Sequence, residues 1–252
     1  MAKKIIILIP ARMASTRLPG KPLADIAGEP MITHVWRRAT EANIGDVVVA
    51  TGEEEIAAAI GKAGGKAVVT KGVHESGSDR IYEALERVDA GNKYDIVVNL
   101  QGDLPLLAPQ AIARCIDPLK QPAVDIATLG AVITDPDEIA NPNVVKIITS
   151  DGGDGLNSTS IVRAKDFARL LPPDFRGVHI HHIGIYAYRR TAIKTFVSLP
   201  QSARENQMKL EQLRALDAAM RIDAAMVEEV PFGIDTPEDL EKARILMSKS
   251  KS

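Results

Sequence analysis

Arg12, Arg17 and Lys21 sit on one short stretch, Ile9-Pro10-Ala11-Arg12-Met13-Ala14-Ser15-Thr16-Arg17-Leu18-Pro19-Gly20-Lys21-Pro22-Leu23, directly after the apolar run Ile5-Ile6-Ile7-Leu8. A guanidinium offers a planar fork of N–H donors that matches phosphate oxygens, and an ammonium offers a mobile point charge. With the hydroxyls of Ser15 and Thr16 beside them, these groups could cradle a polyphosphate. Pro19 and Pro22 stiffen the loop, and Gly20 permits close approach of backbone to ligand. Gly20-Lys21 is followed by proline and lacks the earlier glycine of a Walker A loop. Solvated surface cations remain the competing reading of the stretch by itself.

Two acids bear on that choice. Asp103, in Asn99-Leu100-Gln101-Gly102-Asp103-Leu104-Pro105, follows another apolar run, and Asp235 precedes a helical pattern in Phe232-Gly233-Ile234-Asp235-Thr236-Pro237. A carboxylate beside a polyphosphate is repulsive unless a cation bridges them. Mg²⁺ suits that task, taking one or two carboxylates with phosphate oxygens and water. The competing roles are an Asx-type turn before Pro105 for Asp103 and a helix N-cap for Asp235, although Thr236 also offers a capping hydroxyl.

Ser76-Gly77-Ser78-Asp79-Arg80 opens another helical pattern with groups able to bond a base edge or ribose; Ser78 or Asp79 capping that helix is the alternative. Arg80 is poorly explained by capping, because a cation at a helix N-terminus is unfavourable. His179, His181 and His182 lack a further ligand with zinc-like spacing, so His182 reads better as a hydrogen-bonding group for a polar substrate. Glu211 and Gln212 adjoin the apolar positions Leu210, Leu213 and Leu216, and by themselves read as an ordinary solvated helix face.

These residues need a scaffold, and the chain has one in outline. Its 252 residues, 45% hydrophobic, can bury a sizeable core, and a net charge of −2 gives no global pull toward nucleic acid. The single cysteine, Cys115, excludes an intramolecular disulfide and fits a reducing compartment. The N-terminal apolar run is too short for a signal peptide or membrane span, so a cytoplasmic protein is expected. Short β-branched runs at 5–9, 46–50, 67–70 and 96–100 alternate with helical patterns: Ile32, Val35, Trp36 and Ala39 on one face, then 53–63 and 78–88. This rhythm predicts an α/β fold with a mostly parallel sheet flanked by helices, whose ligands sit at the carboxyl ends of the strands.

The second half predicts strands at 126–133 and 144–148, an exposed loop at 150–157, and a half-open strand at 182–188 with Ile183, Ile185 and Ala187 inward. A helix at 210–220, a strand at 225–230 and a terminal helix from Pro237, N-capped by Thr236, complete the chain, with a frayed tail at 248–252.

Taken in order, the segments 9–23, 76–80, 101–105, 141–146, 182–189, 210–213 and 233–240 resemble the cytidylyltransferases that activate 3-deoxy-manno-octulosonate (Kdo), the CMP-Kdo synthetases. The resemblance covers nearly the whole chain. It implies a nucleotide-diphosphosugar-transferase (Rossmann-like) fold with a smaller dimerisation and sugar-binding lobe. The corresponding parts are a single domain over 1–252, with a nucleotide-binding half near 1–125, a sugar-binding and dimerisation part near 126–220, and a terminal strand and helix near 221–252.

The activity it implies is transfer of CMP from CTP to Kdo, releasing pyrophosphate, for lipopolysaccharide assembly by a Mg²⁺-dependent homodimer. The alternative acceptors are 8-amino-Kdo and sialic acid. Carried over by position, Ala11, Arg12, Ser15, Thr16, Arg17 and Lys21 would hold the CTP phosphates, with Arg12, Arg17, Lys21 and Asp103 catalytic. Ser76, Ser78, Arg80 and Gln101 would meet the nucleotide. Gln101, His182, Tyr186, Glu211 and Gln212 would bind the acidic sugar, and Asp103 with Asp235 would hold Mg²⁺.

The family's Phe-Ser-Arg segment before the histidine strand has Ser160-Ile161-Val162-Arg163-Ala164-Lys165 as its counterpart, which offers Arg163 to the sugar. Gly52 stands where many relatives have aspartate after Ala-Thr, and Leu104 replaces a frequent glutamate. A glycosyltransferase consuming a nucleotide sugar would carry Asp-x-Asp at the strand end, and Gln101-Gly102-Asp103 is not that motif.

Overall fold

A computed structural model describes residues 3–149, 155–172 and 174–249. Residues 150–154 of the expected 150–157 loop, and the last three residues of the tail, lie outside the described residues. The chain divides into two compact units, Met1–Ala113 with Pro231–Ser252, and Arg114–Val230.

The first unit opens with β1 (Ile5–Ala11), whose Ile6 to Ile9 are wholly buried. A small antiparallel hairpin follows, β2 (Asp25–Ile26) and β3 (Glu29–Pro30), and leads into α1 (Met31–Glu41). Then come β4 (Asp46–Thr51), α2 (Glu54–Lys62), β5 (Lys66–Val69), α3 (Gly77–Val88), β6 (Ile96–Asn99) and α4 (Pro109–Arg114). The strands lie in the order β5-β4-β1-β6, every pairing parallel. A strand flanked on both sides and covered on both faces must be apolar throughout, which is why β1 reads as an uninterrupted β-branched run. The helices expected at 53–63 and 78–88 form, and α1 buries Met31, Ile32, Val35 and Ala39.

In the second unit, β7 (Ile126–Val132), α5 (Pro136–Ala140), β8 (Lys146–Thr149), β9 (Ile161–Ala168), β10 (Ile180–Arg189), α6 (Arg190–Ser198), α7 (Ala203–Met208), α8 (Leu213–Asp217) and β11 (Ile222–Val227) follow in turn. Its strand order is β10-β7-β11-β9-β8; β7 and β11 run parallel, and the other neighbouring pairs are antiparallel. The sequence groups its last strand with the terminal helix, whereas Ile222–Val227 belongs to this unit.

Two expectations here are corrected. β10 is not half-open: His182, Tyr186 and Tyr188 are buried along with Ile183, Ile185 and Ala187, and a register shift between Ile183 and Tyr186 breaks simple alternation. The helix expected at 210–220 shrinks to α8: Lys209 (φ 54°) is the left-handed C-cap of the preceding helix, and Ala219 (φ 59°) turns left-handed just past the end of α8. The chain between α6 and α8 instead forms α7, started by a capping box in which Ser202 and Glu205 satisfy each other's backbone N–H.

Glu205 also receives the Arg214 guanidinium through two bonds, 2.8 Å from Nε and 2.6 Å from Nη2, with both side chains buried. Arg214 lies 5.0 Å over the Phe196 ring. This pair joins α7 to α8 and so fixes the intervening Glu211-Gln212.

The first unit is completed by α9 (Pro237–Lys249). Ile234, Leu240, Ala243 and Met247 pack with Ile26 and Met31 into a satellite core, and Arg244 Nε donates to Asp25 O at 2.9 Å. The hairpin and the chain's last helix are thereby tied together.

Removing one member of a buried, bidentate ion pair leaves an uncompensated charge. Glu205→Ala should therefore lower the free energy of unfolding by about 3–5 kcal/mol, measured by denaturant titration.

Candidate active site

At the carboxyl end of β1 the chain leaves the sheet, loops through residues 12–20, and turns into a short 3-10 helix, Lys21–Leu23. Gly20 adopts φ +70°, which a side chain would strain, and its N–H donates to Met13 O at 3.3 Å, closing the loop. Glu53 anchors the same loop from the start of α2: its carboxylate accepts from Met13 N–H (3.1 Å), Thr51 Oγ1 (3.0 Å) and Gly52 N–H (3.1 Å). Glu53 was not picked out from the sequence; a carboxylate just before a helix looks like an ordinary N-terminal acid, and its partner lies forty positions away.

Lys21 Nζ donates to Asp103 Oδ2 and to Asp235 Oδ1, each at 3.0 Å, and Arg17 pairs with Asp235 at 2.9 Å. Two backbone devices bring the acids together. Ile234 N–H donates to Asp103 O at 3.0 Å, so the two segments run side by side. Thr236 and Asp239 then form the start of α9, with Asp239 N–H donating to Thr236 Oγ1 and Asp239 Oδ2 accepting from Asp235 and Thr236 N–H. Thr236 does the capping and leaves the Asp235 carboxylate for Lys21.

These groups line a cavity of about 380 Å³ walled by Ala11, Arg12, Ser15, Thr16, Arg17, Lys21, Ser76, Arg80, Gln101, Asp103 and Asp235, among others. Four permanent cations against two carboxylates leave it electropositive. Burial pushes the Arg80 guanidinium below its ordinary value; Glu53 opposes that shift, while nearby Arg12 adds repulsion. Arg80 Nη1 donates to Thr70 Oγ1 at 2.7 Å. Mutually repelling guanidiniums around an open cavity suit a polyanion.

Ser76, rather than Ser78 or Asp79, is the N-cap of α3, in a capping box with Asp79. Ser78 is wholly buried and bonded by Asn99 Nδ2 at 3.3 Å, behind the cavity wall. Gln101 Nε2 donates to Asn99 Oδ1 at 3.2 Å, which orients its amide.

The gathered carboxylates fit Mg²⁺ by the chemistry of the donor set: two hard oxygen ligands already held around one positive centre. Among the described residues no group of three or more His, Cys, Asp or Glu is arranged for a metal. An ion here would therefore complete its shell from nucleotide and water, as Mg²⁺ does.

The sugar-side candidates lie in the second unit. His182 is buried with Nε2 3.1 Å from Thr128 Oγ1, its ring 4.9 Å from Phe167 and 5.5 Å from Tyr186. Burial, with a smaller contribution from His181, pushes His182 down to about 3, so the imidazole is neutral at physiological pH. Burial raises the Tyr186 phenol, and Tyr188 and Glu211 add to the shift, which places Glu211 in the same electrostatic neighbourhood. Gln212 is buried with Nε2 lacking a hydrogen-bond partner among the described residues. A neutral, donor-bearing group of this kind is one that a polar ligand would satisfy.

Arg163 is exposed on β9, in register with Asp223. The arginine that does reach the segment before Glu211 is Arg169, whose guanidinium donates to Met208 O (2.9 Å), Lys209 O (3.3 Å) and Pro142 O (3.2 Å). Lys146, wholly buried, donates to Arg169 O (2.8 Å) and Asn141 O (2.6 Å). Phe167-Ala168-Arg169, followed by Pro172, is the Phe-x-Arg signal that marks Arg169 in the sequence.

The fold and this site define a nucleotidyl-transferring class, and comparison with known proteins makes the class specific. The cytidylyltransferase family matches residues 6–222, and the chain belongs to that family. It is 59% identical over 243 residues to the 3-deoxy-manno-octulosonate cytidylyltransferase of Methylorubrum populi, covering 96% of each chain. It is 58% identical over 247 residues to the enzyme of the same name from Bradyrhizobium sp. strain ORS 278, covering 98% of each. Among solved structures it is similar to CMP:2-keto-3-deoxy-manno-octonic acid synthetase complexed with CTP, with a TM-score of 0.88 and 38% identity over 98% of this chain and 100% of that one.

His182 supplies a pH test. Its folded value is depressed below the unfolded one, about 6.5, so protons bind the unfolded chain preferentially as pH falls. The stability that depends on the neutral imidazole is fully present above about 6.5 and is lost progressively toward about 3. Thermal unfolding from pH 7.5 to 5 should show a falling midpoint in the wild type and a shallower fall in His182→Gln.

Proposed function

We propose that this chain transfers the cytidylyl group of CTP to Kdo, forming CMP-Kdo for lipopolysaccharide assembly and releasing pyrophosphate. The observation that carries the reading is the Lys21–Asp103–Asp235 cluster inside a cation-lined cavity, in a chain whose relatives of that name match it end to end.

A hydroxyl on the anomeric carbon of Kdo attacks the α-phosphorus of CTP. The new P–O bond forms as the bond to the β-phosphate oxygen breaks, and the hydroxyl proton is lost to solvent or to the departing phosphate. No covalent protein intermediate is required, so the protein's task is alignment and charge stabilisation. Ser15 and Thr16 donate to phosphate oxygens, and Arg12 and Arg17 fork onto them. Lys21 moves its charge toward the oxygen that becomes more negative as pyrophosphate leaves, which a flexible ammonium can do and a guanidinium cannot.

Asp103 and Asp235 are the residues that would hold Mg²⁺. When bound, the ion draws charge from the phosphate oxygens and lowers the pKa of the attacking hydroxyl. Arg80 and Gln101 orient the nucleoside. Gln101, His182, Tyr186, Glu211 and Gln212 recognise the acidic sugar, with neutral His182 acting as a hydrogen-bonding group, not as a charge. The second unit's sheet also serves dimerisation in this reading, and the enzyme works in the cytoplasm. Among the described residues no helix is long and apolar enough to cross a membrane.

Incubation with CTP, Mg²⁺ and Kdo should yield CMP-Kdo and pyrophosphate by mass analysis. Sialic acid and 8-amino-Kdo as alternative acceptors should give little, and a preference for either would overturn the assignment of the sugar. Lys21→Met should lower kcat about 10²–10³-fold with unchanged circular dichroism; near-normal turnover would remove Lys21 from the mechanism. Asp235→Asn should raise the Mg²⁺ concentration for half-maximal rate by at least about tenfold, and an unchanged Mg²⁺ titration would exclude Asp235 as a ligand.

A further inference from the structure

Lys146 has no part in the chemistry above, yet its side chain is wholly buried at the start of β8. Two strands meet β8 at that point: Lys146 is in register with Ala168 of β9 and with His181 of β10. The neighbouring Val145 carbonyl accepts from His182 N–H at 2.8 Å. Lys146 thus stands where the strand that carries His182 and the strand that leads to Arg169 both join the 141–146 segment.

Burying an ammonium is expensive, and an unbranched apolar side chain would fill the same space at smaller cost. Burial does push the Lys146 ammonium below its ordinary value, with Glu138 opposing the shift. What the ammonium adds is directed bonding. Nζ donates to Asn141 O at 2.6 Å and to Arg169 O at 2.8 Å, so one cation clamps the 141–142 turn to the residue that follows β9. Arg169 extends the clamp from its other end, its guanidinium donating to Pro142 O, Met208 O and Lys209 O. Two cations in series therefore tie together the turns at 141–142 and 208–209.

The second of these turns is strained. Lys209 holds φ 54°, a conformation that a residue with a side chain keeps only where its surroundings over-determine it. The bonds from Arg169 to the carbonyls of Met208 and Lys209 supply that constraint on one side, and the cap bond from Lys209 N–H to Glu205 O supplies it on the other. Glu211 and Gln212 follow at once. Gln212 Nε2 is buried without a hydrogen-bond partner among the described residues, so the backbone before it, not a bond at that atom, decides where the amide is presented.

We propose that Lys146 is a positioning residue for the acidic-sugar side of the site, acting through Arg169 to hold the Met208-Lys209 turn that presents Glu211 and Gln212. This rests on the reading of Glu211 and Gln212 as sugar-binding groups.

Lys146→Met keeps the length of the side chain and removes the charge and both bonds. The KM for Kdo should rise about tenfold, because a small misplacement of binding groups is costly. The KM for CTP should stay within about twofold of wild type, since the substitution is remote from the phosphate loop. The thermal unfolding midpoint should equal or exceed that of wild type, as expected when an apolar side chain replaces a buried charge. An effect that works through a partner disappears with that partner, so adding Lys146→Met to Arg169→Met should change the KM for Kdo by less than about twofold. Lys146→Gln, also neutral but too short to span both carbonyls, is judged by the same ratio of KM values if Lys146→Met does not fold.

An unchanged KM for Kdo in the Lys146 variant overturns the proposal. So does a parallel rise of both KM values with a lowered midpoint, which is the mark of a merely structural role, and so does a full further tenfold rise in the Arg169→Met background. A wild-type chain that does not turn over Kdo would overturn the sugar reading itself, whereas normal wild-type turnover with an unchanged variant overturns the role of Lys146 alone.

Discussion

Four cations around one small cavity repel one another, and the structure depends on how that repulsion is contained. Lys21 answers it by standing between Asp103 and Asp235, 3.0 Å from each. The carboxylates are a third to a half exposed, so each such contact contributes at most about 1 kcal/mol after solvent screening. Interactions that weak cannot gather three distant segments. The gathering is done by backbone: the Ile234 to Asp103 bond, the Thr236–Asp239 cap, the left-handed Gly20, and the satellite core that pins α9 to the hairpin. The charges are placed by the fold and remain free to change partners when a ligand arrives, which is what a phosphate site requires.

The second unit handles polarity in the opposite way. Several of its polar groups are withdrawn from water: His182 is pushed down to about 3 by burial, Tyr186 is raised, and Lys146 and Arg169 donate to carbonyls of the 141–142 and 208–209 segments. Arg169 and the Glu205–Arg214 pair together set the path of the chain either side of Glu211-Gln212. A ligand met by such groups is recognised through hydrogen bonds in a low-dielectric setting, where an unmatched partner is costly. The first unit thus suits a charged, mobile polyphosphate, and the second a rigid polyhydroxylated acceptor.

Much of this was legible in the residues. The uninterrupted β-branched runs announce the buried parallel strands, and the rule that ligands gather at their carboxyl ends puts Arg12, Lys21 and Asp103 on one rim. What escaped was decided by tertiary context. Lys209 gives no sign in its type that it will take a left-handed conformation and end α7 just before Leu210. β9 does not stand out in the sequence because its buried positions, Ala164 and Phe167, do not alternate strictly with its exposed ones. Ser78 and Ser76 are indistinguishable by composition, yet one is buried against Asn99 and the other caps a helix. Glu53 depends on partners that only the fold supplies.

The two departures from the family pattern beside the cavity have a common physical logic. A side chain at Gly52 would begin 3.0 Å from Arg80 Nη1, so an aspartate there would set its carboxylate directly against that guanidinium. Glu53, the next residue, opposes the burial shift of Arg80 while its oxygens hold Met13, Thr51 and Gly52. One carboxylate therefore balances Arg80 and anchors the cationic loop at once. At the other departure Leu104 offers no charge, and its Cδ2 lies 3.5 Å from where a side chain on Gly233 would begin, packing against the segment that carries Asp235. Asp103 and Asp235 are the acids that face Lys21. Carboxylates thus stand beside the cavity's cations at Glu53, Asp103 and Asp235.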